Sequence, residues 1–180
     1  MSKRLTKTGW LDHGLEALAD DGPQGLTVEA MCERAQKTRG SFYHHFESAG
    51  DFQKQLLLWW EKTYTRDLID KVDRLGQPGQ KLDYLNQLAA HLDPRIEQAF
   101  RRLAARSNDA ALTCRRVDDT RIAYLARLYA RTPRFSDEDA QMLARIEYAA
   151  WVGFQLIAPD AKADEMLEMY QGFLKLTGRG

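Results

Sequence analysis

The most informative segment of this sequence is Leu26-Thr-Val-Glu-Ala-Met-Cys-Glu-Arg-Ala-Gln-Lys-Thr-Arg-Gly-Ser-Phe-Tyr-His-His-Phe46. It contains two short segments with apolar residues at helical spacing, and each follows a good N-cap residue, Thr27 in the first and Thr38 in the second. Only Gln36 and Lys37 separate the two segments. The pattern therefore predicts two short helices joined by a tight turn, which is the arrangement of a helix-turn-helix.

Helical patterns continue on both sides of this stretch. A helix is predicted over 5–19, ending at the Asp20-Asp21-Gly22-Pro23 stop signal, and a long helix from about Gly50 to Leu75, before the break at Gly76-Gln77-Pro78-Gly79. No run of residues alternates apolar and polar side chains as a strand does. The fold class is therefore expected to be all-α with about nine helices, the last five of them over 80–92, 95–107, 109–132, 137–158 and 161–177, with Ser136 and Asp160 as caps of the final two.

The composition is that of a globular protein. The chain has 180 residues, of which 44% are hydrophobic and 29% charged, and its 26 basic residues balance its 26 acidic ones. A formal charge of zero excludes a protein that coats nucleic acid by bulk charge alone. Cys32 and Cys114 are isolated from each other and from other metal-ligand residue types, so both thiols are expected to be buried in a reducing environment. The sequence predicts a cytoplasmic protein that does not enter a membrane.

Enzyme and cofactor signatures are missing from the sequence. There is no HExxH, GxSxG or GxxxxGK[ST] motif, and the neighbouring His44 and His45 project about 100° apart on a helix, so they do not form a chelating pair. We therefore expect no catalytic residues, no metal and no cofactor.

The quoted stretch closely resembles the helix-turn-helix of the TetR/AcrR family of bacterial transcriptional regulators. The motif lies at about residues 26–45, and the resemblance rests on the opening threonine, an alanine at 35, a hydroxyl cap at 38, the Arg-Gly-Ser start of the second helix and the aromatic ending Phe-Tyr-His-His-Phe. With the helix over 5–19 and the glycine-bearing turn before Thr27, it covers about the first 60 residues, and the rest of the chain fits by architecture only. It implies a DNA-binding domain over 1–50 that includes three helices, and a helical effector-binding and dimerisation domain over 51–180. It also implies a repressor that a small molecule releases from a palindromic operator.

Within this motif, the residues at the start of the second helix are the ones placed to meet DNA. A recognition helix presents its N-terminal residues to base edges, so Arg39 is expected to contact bases, while Gly40 lets the backbone approach DNA. By resemblance, Thr27, Tyr43 and His44 contact phosphates. The predicted DNA-binding residues are Thr27, Lys37, Thr38, Arg39, Gly40, Ser41, Tyr43 and His44. The basic residues before the first helix, Lys3, Arg4 and Lys7, form either a DNA-binding arm or a solvated tail.

Two positions depart from the family pattern. Lys37 stands where the family usually has a small apolar residue, and Ala49-Gly50 stands where it often has a lysine. Residues 1–48 contain six basic and seven acidic side chains, a formal charge of −1 that argues against tight non-specific binding. The basic residues Lys37 and Arg39 lie at the second helix and most acids lie elsewhere, so a local positive face remains compatible with the sequence.

The helices after residue 50 are expected to bind an effector and a second subunit. The last two helices are apolar over more than one face, which favours a homodimer built through them. An apolar or amphipathic effector is expected among aromatic and apolar side chains, each of which is more often an ordinary core residue than part of a ligand pocket. The seven residues predicted to bind it are Trp59, Tyr64, Phe100, Leu103, Tyr124, Tyr148 and Trp151, and Leu128 is a further candidate. Two alternatives stay open, a degenerate family member that binds ligand or protein but not DNA, and a helical enzyme or carrier.

Overall fold

The computed structural model describes residues 4–74, 78–131 and 134–176, and all regular structure within them is helical. A 3-10 helix over Gly22–Leu26 follows α1, and a π-helical turn over Lys62–Arg66 lies between α4 and α5 in the sequence. The described part of the chain has ten α-helices, and the predicted all-α fold is confirmed. The α-helices are α1 Lys7–Asp21, α2 Val28–Ala35, α3 Arg39–Tyr43, α4 Ala49–Glu61, α5 Asp67–Asp73, α6 Pro78–Ala90, α7 Pro94–Ala104, α8 Asn108–Ala130, α9 Asp137–Ile157 and α10 Ala163–Leu176.

Side-chain hydroxyls cap the helices around the turn. Thr27 Oγ1 accepts a hydrogen bond from the Ala30 amide at 3.3 Å, and Thr38 Oγ1 accepts one from the Ser41 amide at 3.2 Å, so both predicted caps are confirmed. The predicted Ser136 cap is confirmed as well, because its Oγ accepts from the Asp139 amide at 3.1 Å. These caps satisfy amides that have no partner inside their own helix.

Three features of the chain differ from the sequence prediction or lie outside the described residues. The final helix begins at Ala163, and Asp160 lies in the turn before it, so the prediction of Asp160 as its cap is wrong. The stop after α1 is a short 3-10 helix that the Gly-Pro punctuation did not reveal. The predicted end of the long helix at Leu75 and the break at Gly76-Gln77 lie outside the described residues.

The chain divides into two compact units. The first comprises the chain up to Lys62 together with Arg95–Arg115, and the second comprises Thr63–Pro94 together with the chain from Arg116 onward. The division into domains of residues 1–50 and 51–180 stays a prediction. No helix in the described part of the chain is long and apolar enough to cross a bilayer.

An aromatic cluster forms the core of the first unit. The ring of Phe42 lies 5.4 Å from that of Trp10, 5.1 Å from that of Phe46 and 5.3 Å from that of Phe52, and all four side chains are at most 1% exposed. A β-carbon at Gly14 would lie 2.7 Å from the Phe52 ring, so glycine is what allows α1 to approach α4 this closely. The cluster therefore fixes α3 against α1 and α4.

The carboxylate of Asp73, whose side chain is 39% exposed, joins three helices of the second unit. Asp73 accepts hydrogen bonds from Arg127 at 2.7 Å, Tyr124 at 3.0 Å and Lys81 at 3.3 Å. Burial alone would raise the pKa of Asp73, but the bonds from Tyr124, Lys81 and Arg127 outweigh it and hold that pKa below its ordinary value. These contacts tie α5, α6 and α8 together.

The turn between α2 and α3 depends on one strained residue. Gln36 has φ 52° and ψ 46°, the left-handed conformation that usually carries glycine at a helix end. Its amide donates to the Glu33 carbonyl at 3.1 Å, and the Lys37 amide donates to the Cys32 carbonyl at 2.9 Å. This pair of bonds closes the end of α2 and sets the direction in which α3 leaves it.

Replacing Gln36 with glycine should therefore stabilise the fold. The left-handed conformation costs an L-residue about 1–2 kcal/mol, and glycine avoids this cost. Glycine also loses more backbone entropy on folding, which cancels part of the gain. We expect Gln36→Gly to raise the free energy of unfolding by about 0.5–1 kcal/mol, measured by urea denaturation. Gln36→Ala keeps the β-carbon and serves as the control, and equal midpoints for the two variants would contradict a strained turn.

Candidate nucleic-acid interface

The eight predicted DNA-binding residues all lie on α2, α3 or the residues that flank these helices, and none of them is buried. Lys37 and Ser41 are half-buried, and the Tyr43 side chain is 47% exposed although it is large and aromatic. The exposed members are Thr27, Thr38, Arg39, Gly40, Tyr43 and His44. The helix-turn-helix thus brings these residues together on accessible surface, as a DNA interface requires.

The capping hydroxyls are suited to phosphate contacts. A threonine hydroxyl has one proton to donate and two lone pairs to accept. Thr27 and Thr38 each use a lone pair to accept from an amide of the helix that follows, which leaves the proton as a donor. Each hydroxyl is also held next to a helix N-terminus, where the backbone amides and the helix dipole favour an anion.

The first residue of α3 is Arg39, whose guanidinium already has partners within the protein. Its Nη1 lies 3.1 Å from Oε1 of Glu29, in α2. Interaction with the Tyr43 side chain and the charge of Glu29 both raise the pKa of the guanidinium. The sequence prediction missed Glu29, because its partner lies on another helix and no helical periodicity links the two.

The residues before α1 lie against the end of the recognition helix. The Arg4 guanidinium donates a hydrogen bond to Nε2 of His44, and Nε2 of His45 donates to the Leu5 carbonyl oxygen at 3.1 Å. The Lys7 ammonium lies 5.6 Å from the centre of the Phe46 ring. Two basic residues of the predicted arm therefore border the helix-turn-helix, while Lys3 lies outside the described residues.

The two departures from the family pattern have local structural consequences. In the turn, the Lys37 amide donates to the Cys32 carbonyl at 2.9 Å. At the start of α4, the Ser48 hydroxyl accepts from the Asp51 amide at 3.0 Å and the Asp51 carboxylate accepts from the Glu47 amide at 3.0 Å. Hydrogen bonds from the Gln55 side chain and the Glu47 amide lower the pKa of Asp51, so a negative charge follows directly after Ala49-Gly50, where the family often has a lysine.

The excess of acids in this region is partly neutralised away from α3. Arg34 contacts Asp20 at 3.1 Å and Asp21 at 2.8 Å, and Arg95 contacts Asp20 at 3.0 Å. These ion pairs join α2 and α7 to the end of α1. Asp20 and Asp21 are therefore paired with basic side chains that lie outside α3.

Comparison with known proteins identifies this domain. Residues 11–50 match the family model described as bacterial regulatory proteins, tetR family. The matched residues include all of α2 and α3 and the turn between them, so this part of the chain is similar to the corresponding part of tetR-family regulatory proteins. No curated protein sequence matches the chain.

Solved structures of TetR-type regulators share the fold over nearly the whole chain. Regulatory protein TetR from Rhodobacter sphaeroides is 23% identical, with a TM-score of 0.76 over 94% of this chain and 97% of that one. Reduced NemR from E. coli is 18% identical, with a TM-score of 0.76 over 93% and 95%. A transcriptional regulator from Aquifex aeolicus VF5 is 17% identical, with a TM-score of 0.76 over 95% and 98%. The chain thus has the fold of a TetR-type transcriptional regulator.

The seven residues predicted to bind the effector are divided between the two units. In the first unit, Nε1 of Trp59 donates to Asp12 at 2.8 Å, Phe100 stacks on Trp60 with ring centres 4.4 Å apart, and Leu103 lines a cavity of about 180 Å³ together with Phe100. The other four residues, Tyr64, Tyr124, Tyr148 and Trp151, belong to the second unit.

Polar contacts join several of those four residues to charged side chains. Arg121 donates to the Tyr64 carbonyl and to the Tyr148 hydroxyl, both at 3.1 Å, and Tyr148 donates to Asp118 at 2.6 Å. Trp151 packs edge-to-face on Tyr170 with ring centres 6.0 Å apart. An open groove of about 490 Å³ between α8 and α9 is lined by other residues, among them Asp119, Arg127, Asp137 and Arg145.

Metal-ligand residues do not gather in the part of the chain that the structure describes. Across residues 4–74, 78–131 and 134–176, no three histidine, cysteine, aspartate or glutamate side chains are placed to hold a metal ion.

Gly40 offers a test of the interface that separates DNA binding from folding. A β-carbon at this position would meet only Thr38 Oγ1, at the ordinary contact distance of 3.8 Å, so the free protein accommodates alanine. Alanine is also the better helix former. We therefore expect Gly40→Ala to keep or raise the unfolding temperature. It should weaken operator binding by about tenfold, because the added methyl group would cost roughly the equivalent of one base contact. Unchanged affinity in a fluorescence anisotropy titration would show that the backbone of α3 does not approach DNA at Gly40.

Proposed function

We propose that this chain is a homodimeric repressor that binds a palindromic operator through α2 and α3 and leaves it when a small molecule binds. The observation that carries the proposal is the accessible face of the helix-turn-helix. On this face the helix-capping residues Thr27 and Thr38 accompany Arg39, the first residue of α3. Phe42 and Phe46 seat that helix in the core, at 0% and 1% exposure. The helix therefore has the rigidity that reading base edges requires.

In this proposal each residue of the face has a role. Arg39 reads a base, and guanine is the base whose O6 and N7 a guanidinium contacts with two hydrogen bonds. Thr27, Thr38, Tyr43 and His44 hold phosphates and set the register of the protein on the duplex. Arg4 lies next to His44 and adds a positive charge on the same side. Because few positive charges take part, we expect binding to depend on specific contacts more than on bulk attraction.

The first experiment is selection of bound fragments from sheared genomic DNA of the source organism at about physiological salt. A palindrome with half-sites about 34–36 Å apart, one turn of the double helix, is the expected result. Failure to enrich any sequence at low salt, with a folded and dimeric protein, would overturn the proposal. It would favour instead a module that binds ligand or protein without binding DNA.

Substitutions then test the assigned roles on the selected operator. We expect Arg39→Ala to cost about 1–3 kcal/mol of operator binding and to relax the preference at one base pair, while binding to random DNA changes little. Lys37→Ala should weaken binding to both DNAs alike. Arg115→Ala is the matched control, since Arg115 is exposed in the same unit but lies outside the helix-turn-helix. Equal operator affinity of the Arg39 and Arg115 variants would contradict base reading by Arg39.

A stripe of exposed apolar residues on α9 supports the dimer. Met142, Ile146 and Leu156 are 57%, 45% and 58% exposed, and their spacing places them along one side of the helix. Exposed Ala149 and half-buried Gly153 continue the same side and leave room for a second helix to approach. Contiguous apolar surface on a helix of this length is typical of an interface between subunits.

Disrupting this stripe should separate the subunits. At micromolar protein concentration we expect the wild-type chain to be a dimer and the Ile146→Glu variant to be a monomer. The reason is that the substitution would bury a carboxylate at the centre of the interface. Sedimentation velocity measures the change, and the monomer should also lose operator affinity because it reads one half-site. Leu112→Glu, at an apolar residue of α8 that is 49% exposed, is the control and should remain dimeric. A monomeric wild-type protein would contradict the two-half-site arrangement.

The effector proposed here is an apolar or amphipathic small molecule held by aromatic residues of the second unit. Tyr148 and Trp151 offer apolar faces, and the Arg121 contacts place a polar group beside Tyr148. A ligand releases the operator only if it binds the DNA-free form more tightly than the DNA-bound form. Compounds that raise the unfolding temperature are therefore to be tested for loss of operator binding, and a Tyr148→Ala variant should lose the response.

A further inference from the structure

The pairing of Glu29 with Arg39 crosses the helix-turn-helix at the point where DNA is expected. Glu29 is the second residue of α2, and Arg39 is the first residue of α3. Their charged atoms lie 3.1 Å apart although the side chains are 66% and 64% exposed. The Glu29 carboxylate thus fixes where Nη1 of the guanidinium stands.

Stability does not account for this arrangement. Ion pairs between exposed side chains contribute little to the free energy of folding, because solvent screens the charges and two flexible side chains must be ordered. Glu29 also places a negative charge two positions after Thr27, where a phosphate is expected, and so works against DNA binding in general. The pair is better explained by an effect on how Arg39 binds.

The guanidinium has enough donors to keep Glu29 and still read a base. It carries five N–H groups in a planar fork, and a bidentate contact to guanine uses two of them. The contact from Nη1 to Glu29 therefore leaves donors for the base. A side chain that is already ordered loses less conformational entropy when it binds, and a carboxylate beside it disfavours a competing contact with phosphate.

We propose that Glu29 is a positioning residue that sets the sequence discrimination of this chain, by holding Arg39 toward a base edge and away from the phosphates. The inference rests on the proposed function, since it concerns the same DNA-facing surface. Glu29, an acidic residue of α2, would then contribute to the DNA-sequence specificity of α3.

The test compares two variants that remove the same charge from the same helix. Glu29→Gln removes the partner of Arg39. Glu33→Gln is the matched control, because Glu33 is an exposed acid of α2 that forms no ion pair with Arg39. Affinities for the selected operator, for an operator changed at the base pair that Arg39 reads, and for random DNA are measured by anisotropy at one salt concentration. Thermal unfolding verifies that both variants are folded.

We expect the two variants to differ in the ratio of affinities. Glu33→Gln should raise the affinity for all three DNAs by the same factor, because it changes only the net charge. Glu29→Gln should raise the affinity for random DNA but lower the ratio of operator to random affinity by about three- to tenfold, the effect of ordering one flexible side chain. In an Arg39→Ala background Glu29→Gln should behave as Glu33→Gln does, since the coupling passes through Arg39.

The outcomes separate this inference from the function on which it rests. If the wild-type protein binds an operator and Arg39→Ala loses it, but both glutamine variants keep the wild-type ratio, Glu29 has no positioning role while the proposed function stands. The same conclusion follows if the effect of Glu29→Gln persists unchanged without Arg39. A wild-type protein that selects no sequence overturns both.

Discussion

The packing of Phe42 against Trp10, Phe46 and Phe52 is the contact on which the DNA-facing surface of this protein depends. α3 has five residues, far fewer than the roughly 12–15 that an isolated helix needs to persist in water. Its conformation must therefore come from tertiary contacts, and Phe42, with 0% exposure, provides them. Edge-to-face aromatic pairs contribute about 0.5–1.5 kcal/mol beyond the area they bury, so the cluster holds α3 more firmly than its length alone would.

The same cluster explains how one short helix serves two purposes. Phe42 points into the core, while its neighbours Ser41 and Tyr43 remain on accessible surface. Side chains one residue apart on a helix project about 100° from each other, so burying one leaves its neighbours exposed. The turn before α3 adds to this control, because the left-handed conformation of Gln36 directs the chain from α2 into α3. The contacts that α3 makes with the core through Phe42 thus determine which of its side chains face solvent.

Charges in the DNA-binding region are arranged in pairs rather than as a positive patch. Arg34 is committed to Asp20 and Asp21, and Arg39 has Glu29 beside it. A surface of this kind attracts DNA weakly over long distances, and its selectivity then depends on short-range hydrogen bonds. The near-neutral composition of the chain is therefore compatible with a regulator that distinguishes sequences.

Aromatic residues have a different part in the second unit. The hydroxyls of Tyr129 and Tyr170 both donate to Glu147, whose side chain is 2% exposed, and Tyr124 donates to Asp73. A buried carboxylate is costly unless hydrogen bonds compensate it, so these tyrosines are needed for their hydroxyls as much as for their rings. Aromatic content alone therefore could not distinguish pocket residues from members of this polar network.

The all-α class, the position of the helix-turn-helix and the caps at Thr27, Thr38 and Ser136 follow from the sequence alone, since each depends on residues within one turn of a helix. That Glu29 faces Arg39, that Trp59 bonds Asp12 and that the seven predicted effector residues divide between two units depends on how distant helices pack. Such pairs join residues from ten to 47 positions apart, and helical periodicity carries no information about which helices meet.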